Sequence, residues 1–577
     1  MNSTPTDPTT SSSAAPSATP SANLSASPSA STLPALTEAT AERPLDLLIV
    51  GAGLSGIDLA YHVHKNFPGW NWAAVDSNYD VGGTWATFQY PGIRSDSDMA
   101  TFSLPFKKWP HKGTLGSGKQ IRDYCREAAQ EIGMLDRLQL STWVESVNFH
   151  TDRGLWEVTM RVGRPGHANS EGTDGSGSGV SGANSGANTA ATANPEQPTI
   201  TTWTRRLHFA TGYYRHAEGF TADIEGVNTF EGTALHPQQW PRDLDVRGKK
   251  VTVIGSGATA ITLVPALHAM GADVTMLQRT PTYIAPLPET DTISSLVGLG
   301  LSTEPGKFGH RLARTLHISR DMAQYHLCQT FPSIAKLVFR GWNRLYLPAD
   351  EVRRNFTPPY GPWDQRVCKS PGGDFFKAVR DGAKVVTDHI ERVDADGVRL
   401  RSGGYIEADV LVIATGLQLL AFGDANFSVD GAPVPTESLV AYRAMMANRL
   451  PNFSYTIGYL NQSWTLRADM TSRYLVQLWK DMDSRGEQWA CPVLPDGKPA
   501  DLPLLEMSSG YIQRSVGTLP RQAAGDPWRM EHDYIKERRT YTSADNTHDM
   551  AFGVDALEAA APLAAGEGGG GAAELRV

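Results

Sequence analysis

Two glycine-rich turns constrain the fold of this chain more than any other feature. The first is Gly51-Ala52-Gly53-Leu54-Ser55-Gly56, and the second is Gly255-Ser256-Gly257-Ala258-Thr259-Ala260. Each follows a short apolar run, residues 45–50 and 251–254, of the kind that forms a strand buried on both faces. Each leads into helical spacing, at 57–63 and 261–264. Strand, glycine turn and helix is the context in which such a turn holds a dinucleotide. Its first glycine permits the tight turn, the second lets backbone approach a pyrophosphate, and the third position lets the helix pack close. The helix start adds free N–H groups and the positive end of a dipole. One such turn also occurs in α/β domains that bind nothing. Two in full context predict an α/β fold with two Rossmann-like dinucleotide-binding domains.

The next strand of each unit says which dinucleotide. Residues 72–75 end at Asp76, twenty-five residues past Gly51. An acid there accepts from ribose hydroxyls and repels a 2′-phosphate, which suits FAD or NAD. Residues 274–277 lead to Gln278-Arg279-Thr280, with Arg279 twenty-four residues past Gly255. A guanidinium there favours a 2′-phosphate, hence NADP. Each turn has a downstream echo, an apolar strand ending in Ala-Thr-Gly: Ala210-Thr211-Gly212 and Ala414-Thr415-Gly416.

Composition removes several other classes. A net charge of −9 without a basic block gives no support to nucleic-acid binding. Cys125, Cys328, Cys368 and Cys491 are widely spaced with no CxxC pair, which points to a reducing, cytoplasmic setting without a disulfide frame or a cysteine metal site. No apolar run reaches the roughly 18 residues of a membrane span. Residues 1–44, rich in Ser, Thr, Pro and Ala, read as a disordered tail, as do 556–577. A third low-complexity stretch, 163–198, reads as an expanded hairpin loop between a strand at 156–160 and another at 201–209. The rest divides into a first FAD-binding part at 45–219, an NADPH-binding domain at 220–420 and an FAD-domain return at 421–555. A helical insertion, about 287–350, is either a surface subdomain or a wall of a substrate cleft.

Between the halves lies Phe230-Glu231-Gly232-Thr233-Ala234-Leu235-His236-Pro237-Gln238-Gln239-Trp240-Pro241. This Phe-x-Gly-x-x-x-His-x-x-x-Trp-Pro pattern resembles the fingerprint of type I Baeyer–Villiger monooxygenases. Gly83-Thr84-Trp85-Ala86-Thr87 and Tyr90-Pro91-Gly92-Ile93-Arg94-Ser95-Asp96 look like the flavin-side segment of that family. The segments at 278–284, 362–368 and 458–466 look like its ethionamide-activating branch. The resemblance covers about residues 45–550. It implies an FAD-bound, NADPH-consuming enzyme that inserts one oxygen atom of O2 beside a ketone carbonyl through a flavin C4a-peroxide, or onto a thioether sulfur.

The same resemblance implies the site. Arg366 is the fixed positive partner for developing anions, and Asp96 is the acid that tunes it; an Arg stays charged at any working pH. The flavin side takes Gly51, Gly53, Ser55, Gly56, Asp76, the 83–87 segment, Arg94, Ser95, Asp96 and Val144. The second nucleotide takes residues 255–260 (Gly255, Ser256, Gly257, Ala258, Thr259, Ala260) with Arg279 and Thr280. Simpler readings stay open at this level: Arg366 paired with Asp364, and Asp96 as a turn or helix-capping acid, with Asp98 as a competing candidate for the tuning acid. Gln365 stands where many relatives carry a Lys that helps hold the 2′-phosphate. His236 and Trp240 read as linker and packing residues. Three rival classes share parts of the plan: a disulfide reductase, which lacks its cysteine pair here; a flavin monooxygenase confined to sulfur and nitrogen; and a flavin-binding protein without turnover.

Overall fold

The computed structural model describes residues 32–163, 197–541 and 547–560. Two five-stranded parallel sheets carry the glycine turns. The first runs, edge to edge, Phe453–Tyr455, Leu207–Phe209, Leu47–Val50, Trp72–Val75, Leu138–Gln139. The second runs Thr233–Leu235, Val410–Ile413, Lys250–Ile254, Asp273–Gln278, Lys384–Thr387. The two match place for place. In each, the glycine-turn strand is central, flanked by the strand that leads to Asp76 or Arg279 and by the Ala-Thr-Gly strand. All four residues of Leu47–Val50 are buried, as a central strand covered on both faces requires.

The expected strand over 201–209 is two strands in two sheets. Thr199–Thr204 pairs antiparallel with Leu155–Val162, closing the hairpin whose long loop lies outside the described residues. Leu207–Phe209 then enters the first parallel sheet. The break falls at Arg205-Arg206, where the Arg206 guanidinium turns away to sit 4.5 Å from the Trp70 ring centroid.

After the second sheet the chain returns to the first half. Asn426–Val429 pairs in parallel with Thr142–His150, and Phe453–Tyr455 becomes an edge of the first sheet. The long helix Trp464–Arg485 packs along the first-turn helix Leu54–Asn66. Burial of both surfaces in one cluster joins segments some 400 residues apart.

Two sequence expectations fail at their inner ends. The described part of the N-terminal tail is packed: Pro34–Thr37 forms a helical turn, Leu36 and Ala39 are buried, and the Leu33 N–H donates to Gln139 Oε1 at 2.7 Å. The described start of the C-terminal tail likewise buries Ala556 and Ala560 beside the helix Gly553–Glu558. A few apolar residues suffice to anchor a segment whose average composition reads as disordered.

The 287–350 stretch is helical, with Thr292–Gly298, Phe308–Thr330, Pro332–Arg344 and the start of Ala349–Asn355. It is inserted between the strands Ile284–Leu287 and Cys368–Pro371, which pair with each other. Pro332 starts the third of these helices and keeps it from continuing the second, since it has no N–H to donate to the preceding turn.

Candidate active site

A cavity of about 640 Å³ opens at the carboxyl ends of the first-sheet strands and reaches the start of the second-turn helix. This is where open α/β sheets place their ligands. Its walls include Gly51, Gly53, Ser55, Asp76, Gly83, Thr84, Trp85, Thr87, Arg94, Ser95, Asp96, Val144, Ala258, Thr259 and Arg366. Most residues expected on the flavin side therefore meet around one space.

The first turn is locked from several sides. Gly51 adopts φ +113° against the Ala210 carbonyl, a conformation that L side chains rarely take. A Cβ on Gly56 would overlap the Gly51 carbonyl oxygen, so Gly56 acts by close packing and not by touching the cavity. Asp76 Oδ2 accepts from the Ala52 N–H at 2.6 Å, while Oδ1 accepts from the Asn78 backbone and side-chain amides. Burial pushes the Asp76 carboxyl above its ordinary range, and these donors pull against that. Trp464 Nε1 donates to Ser55 Oγ at 2.7 Å, tying the return segment to the turn. The helix N-cap, Gly53, provides no side-chain cap, so the first N–H groups are left for a phosphate.

The second turn repeats the backbone with fewer ties. Gly255 takes φ +137° against the Ala414 carbonyl. Ser256 Oγ donates to the Thr280 carbonyl at 3.0 Å, joining the turn to the end of its ribose strand. Gly257 also leaves its helix without a side-chain cap, and a Cβ there would meet nothing within 4 Å. Arg279 is exposed and pairs with no carboxylate among the described residues. Gly255, Ser256, Gly257, Ala260, Arg279 and Thr280 lie outside the cavity wall, as does the buried Ala86. A diphosphate on the first turn and a 2′-phosphorylated nucleotide on the second both fit these donor sets.

Arg366 and Asp96 meet. Arg366 Nε lies 3.2 Å from Asp96 Oδ2, with the side chains 26% and 34% exposed. Burial works against the Arg366 charge, but Asp96, Tyr213, Tyr214 and Tyr511 outweigh it and hold the guanidinium well above its ordinary value. The simpler readings fail. Asp364 instead accepts from the Gly361 N–H, and the capping acid is Asp98, which accepts from the Thr101 N–H at 3.0 Å. Asp98 is fully buried and bound to His317 and Arg320 of the helical insertion. Arg94, expected at the flavin, is paired with Asp374 across to the second half, and its other contact is the Lys369 carbonyl. His236, also on the cavity wall, bonds the Gly416 carbonyl at 3.1 Å and accepts from the Gln238 N–H.

Other wall residues carried no readable sequence signal. Tyr213 and Tyr214 hydroxyls are 3.3 Å apart beside Arg366. His216 bonds Thr84 and Thr87, and burial pushes it down to about 4, so it is neutral near pH 7. The only hint lay in their position, directly after Ala-Thr-Gly. All four cysteines are buried and unpaired, which leaves no redox pair for disulfide chemistry.

The NAD(P)-binding Rossmann-like domain family model matches residues 49–114. The chain is 38% identical over 499 residues to the FAD-containing monooxygenase EthA of Mycobacterium tuberculosis, covering 86% of this chain and 94% of that protein. It is 37% identical over 508 residues to the probable FAD-binding monooxygenase AlmA of an Acinetobacter species, covering 87% and 95%. The chain belongs to this family of FAD-containing monooxygenases. Its fold is that of an oxidized steroid monooxygenase bound to NADP (TM-score 0.65, 18% identity, 88% of this chain and 99% of that one) and of an open cyclohexanone monooxygenase (0.63, 17%, the same coverage).

Proposed function

We propose that the enzyme performs Baeyer–Villiger oxidation: a ketone, O2, NADPH and a proton become an ester or lactone, water and NADP+, with thioethers as a second substrate class. FAD, when bound on the first turn, supplies the chemistry of accepting a hydride from NADPH and activating O2. The observation that carries the reading is the Arg366–Asp96 pair on the cavity wall, between the two nucleotide turns. Inserting oxygen beside a carbonyl builds negative charge on the carbonyl oxygen. A preorganised cation in a partly dry site is the group that stabilises it.

The chain's own residues divide that work. Arg366 keeps its proton, so it acts by charge and donated hydrogen bonds and not as an acid. Asp96 fixes the Nε edge of the guanidinium, leaving the terminal nitrogens for the reacting oxygens. Tyr213, whose phenol burial keeps protonated, and Tyr214 beside it on the same wall shut out bulk water. Arg279, exposed and without an acidic partner among the described residues, is the 2′-phosphate clamp, and Asp76 is the flavin ribose acceptor. The four buried, unpaired cysteines support a reducing, cytoplasmic setting.

Arg366→Ala tests the reading. The variant should keep bound FAD and its reduction by NADPH yet lose ester formation by roughly 100- to 1000-fold, the usual cost of one oxyanion partner. A panel of ketones and sulfides, read by product mass for one added oxygen, completes the test. Ordinary ketone conversion by the variant overturns the assignment.

A further inference from the structure

The helical insertion carries an outward surface unlike any other among the described residues. Among the described residues, eleven of the seventeen exposed large hydrophobic side chains fall between residues 296 and 345. On the helix Pro332–Arg344 the inward stripe is Ala335, Phe339 and Asn343, at a four-residue step. The outward stripe should therefore be polar, yet it holds Ile334 (54% exposed), Leu337 (67%) and, just past the helix end, Leu345 (80%). The helix Phe308–Thr330 repeats the pattern with Phe308, Leu316 and Leu327 at positions sharing one face. Monomeric proteins rarely leave such clusters uncovered unless they are used.

Charge selects the occupant. Residues 292–349 hold seven Lys and Arg against two acids, within a chain whose net charge is −9. Two of the seven face inward: Arg314 donates to the Ala100 and Ser103 carbonyls, and Arg320 pairs with Asp98 and Asp321. The other five, Lys307, Arg311, Lys336, Arg340 and Arg344, pair with no carboxylate among the described residues. An isologous dimer through this face would set Arg340 and its neighbours against their own copies. An anionic lipid surface instead offers hydrocarbon for the leucines and phosphate for the cations. No helix among the described residues is long and apolar enough to cross a membrane, so the match is to a surface.

We propose that the outer face of the 292–345 helices docks on anionic lipid membranes. The inner side of the same helices reaches the cavity's neighbourhood, since Met322 accepts from Gln462, a wall residue. Docking therefore sets the insertion between lipid and cavity. The proposal stands on the surface alone and does not depend on which oxidation the cavity performs.

The test is co-sedimentation of the FAD-loaded full chain with vesicles of phosphatidylcholine alone or mixed equally with phosphatidylglycerol. Binding to the mixed vesicles should exceed binding to phosphatidylcholine by roughly tenfold or more at low salt, and weaken as salt rises. The double variant Ile334→Asp/Leu337→Asp should lose binding to both, with its yellow FAD and NADPH oxidation unchanged. Lys336→Glu/Arg340→Glu should lose only the preference for phosphatidylglycerol. The proposal is overturned if wild type stays in solution with all vesicles. It is equally overturned if the aspartate variant binds like wild type, or if sedimentation velocity shows a wild-type dimer that this variant splits.

Discussion

The two glycine turns share a backbone and differ in how tightly it is held. In the first, Asp76 grips the Ala52 N–H, Trp464 grips Ser55, the Gly82 N–H donates to the Ala52 carbonyl, and Gly56 rests on Gly51. In the second, Ser256 reaches the Thr280 carbonyl and Tyr90 bonds Thr259, Gly257 faces open space, and Ala260 already carries the methyl that Gly56 cannot. A tightly braced turn loses little entropy when a ligand binds, which favours slow release. A loosely braced one suits a ligand that arrives and leaves each cycle. The same fold unit is thus held to different degrees in the two halves, by its neighbours and by the residues at its own third position, as a resident cofactor on the first turn and an exchanging one on the second would require.

Four experiments press on this contrast. Gly56→Ala should be the most severe, because its methyl meets backbone that cannot yield. A loss of about 3 kcal/mol of stability and no FAD-loaded protein is expected, read by denaturation and flavin absorbance; a stable yellow variant would erase the contrast. Arg279→Ala should raise KM for NADPH by roughly 10- to 100-fold, the worth of a charge-assisted phosphate contact. KM for NADH should stay within about twofold by the same reasoning, and equal effects on both would remove the 2′-phosphate assignment.

The third experiment uses the echo strands. His208 stands where the second sheet has Val412 and bonds Ser454 and Thr456 of the return segment. Burial pushes it from 6.5 down to about 3. Between those values the unfolded chain binds a proton that the folded one refuses, so stability falls as pH drops. Each such group contributes about 1.4 kcal/mol per pH unit in that window and nothing above it. His208→Val should flatten the acid limb of a denaturation series by about one proton while lowering stability near pH 7 by about 1–2 kcal/mol, for the lost hydrogen bonds. An unchanged acid limb would place the sensitivity elsewhere. The smallest effect belongs to Gly257→Ala: within about 0.5 kcal/mol in stability, as for an uncrowded surface site. A large loss there would mean the second turn is braced after all.

What the sequence disclosed follows from distance along the chain. Each turn, its strand and its ribose-facing residue lie within some 25 residues, where hydrophobic period and glycine spacing suffice. Arg366 and Asp96 were found as residue types in recognisable segments, but their pairing spans 270 positions and only the fold could show it. Tyr214 and Tyr511 are further still from any periodic pattern. Arg94 does line the cavity, but its pairing was unreadable for a related reason: a cation in the flavin-side segment looks available until Asp374 appears from the other half. The tails were misjudged because composition averages over a window, whereas Leu36 needs only one hole to fill.

The contact at Gly92 has a mechanical side. A Cβ there would collide with the Thr262 carbonyl and the Ala266 methyl, so the flavin-side segment bears directly on the second-turn helix. Four residues on, at most about 14 Å of extended chain, lies Asp96, which holds Arg366. The flavin-side segment thus rests backbone to backbone on the second-turn helix only four residues before the acid that holds the guanidinium, so a side chain at position 92 would push the two apart where the pair is anchored.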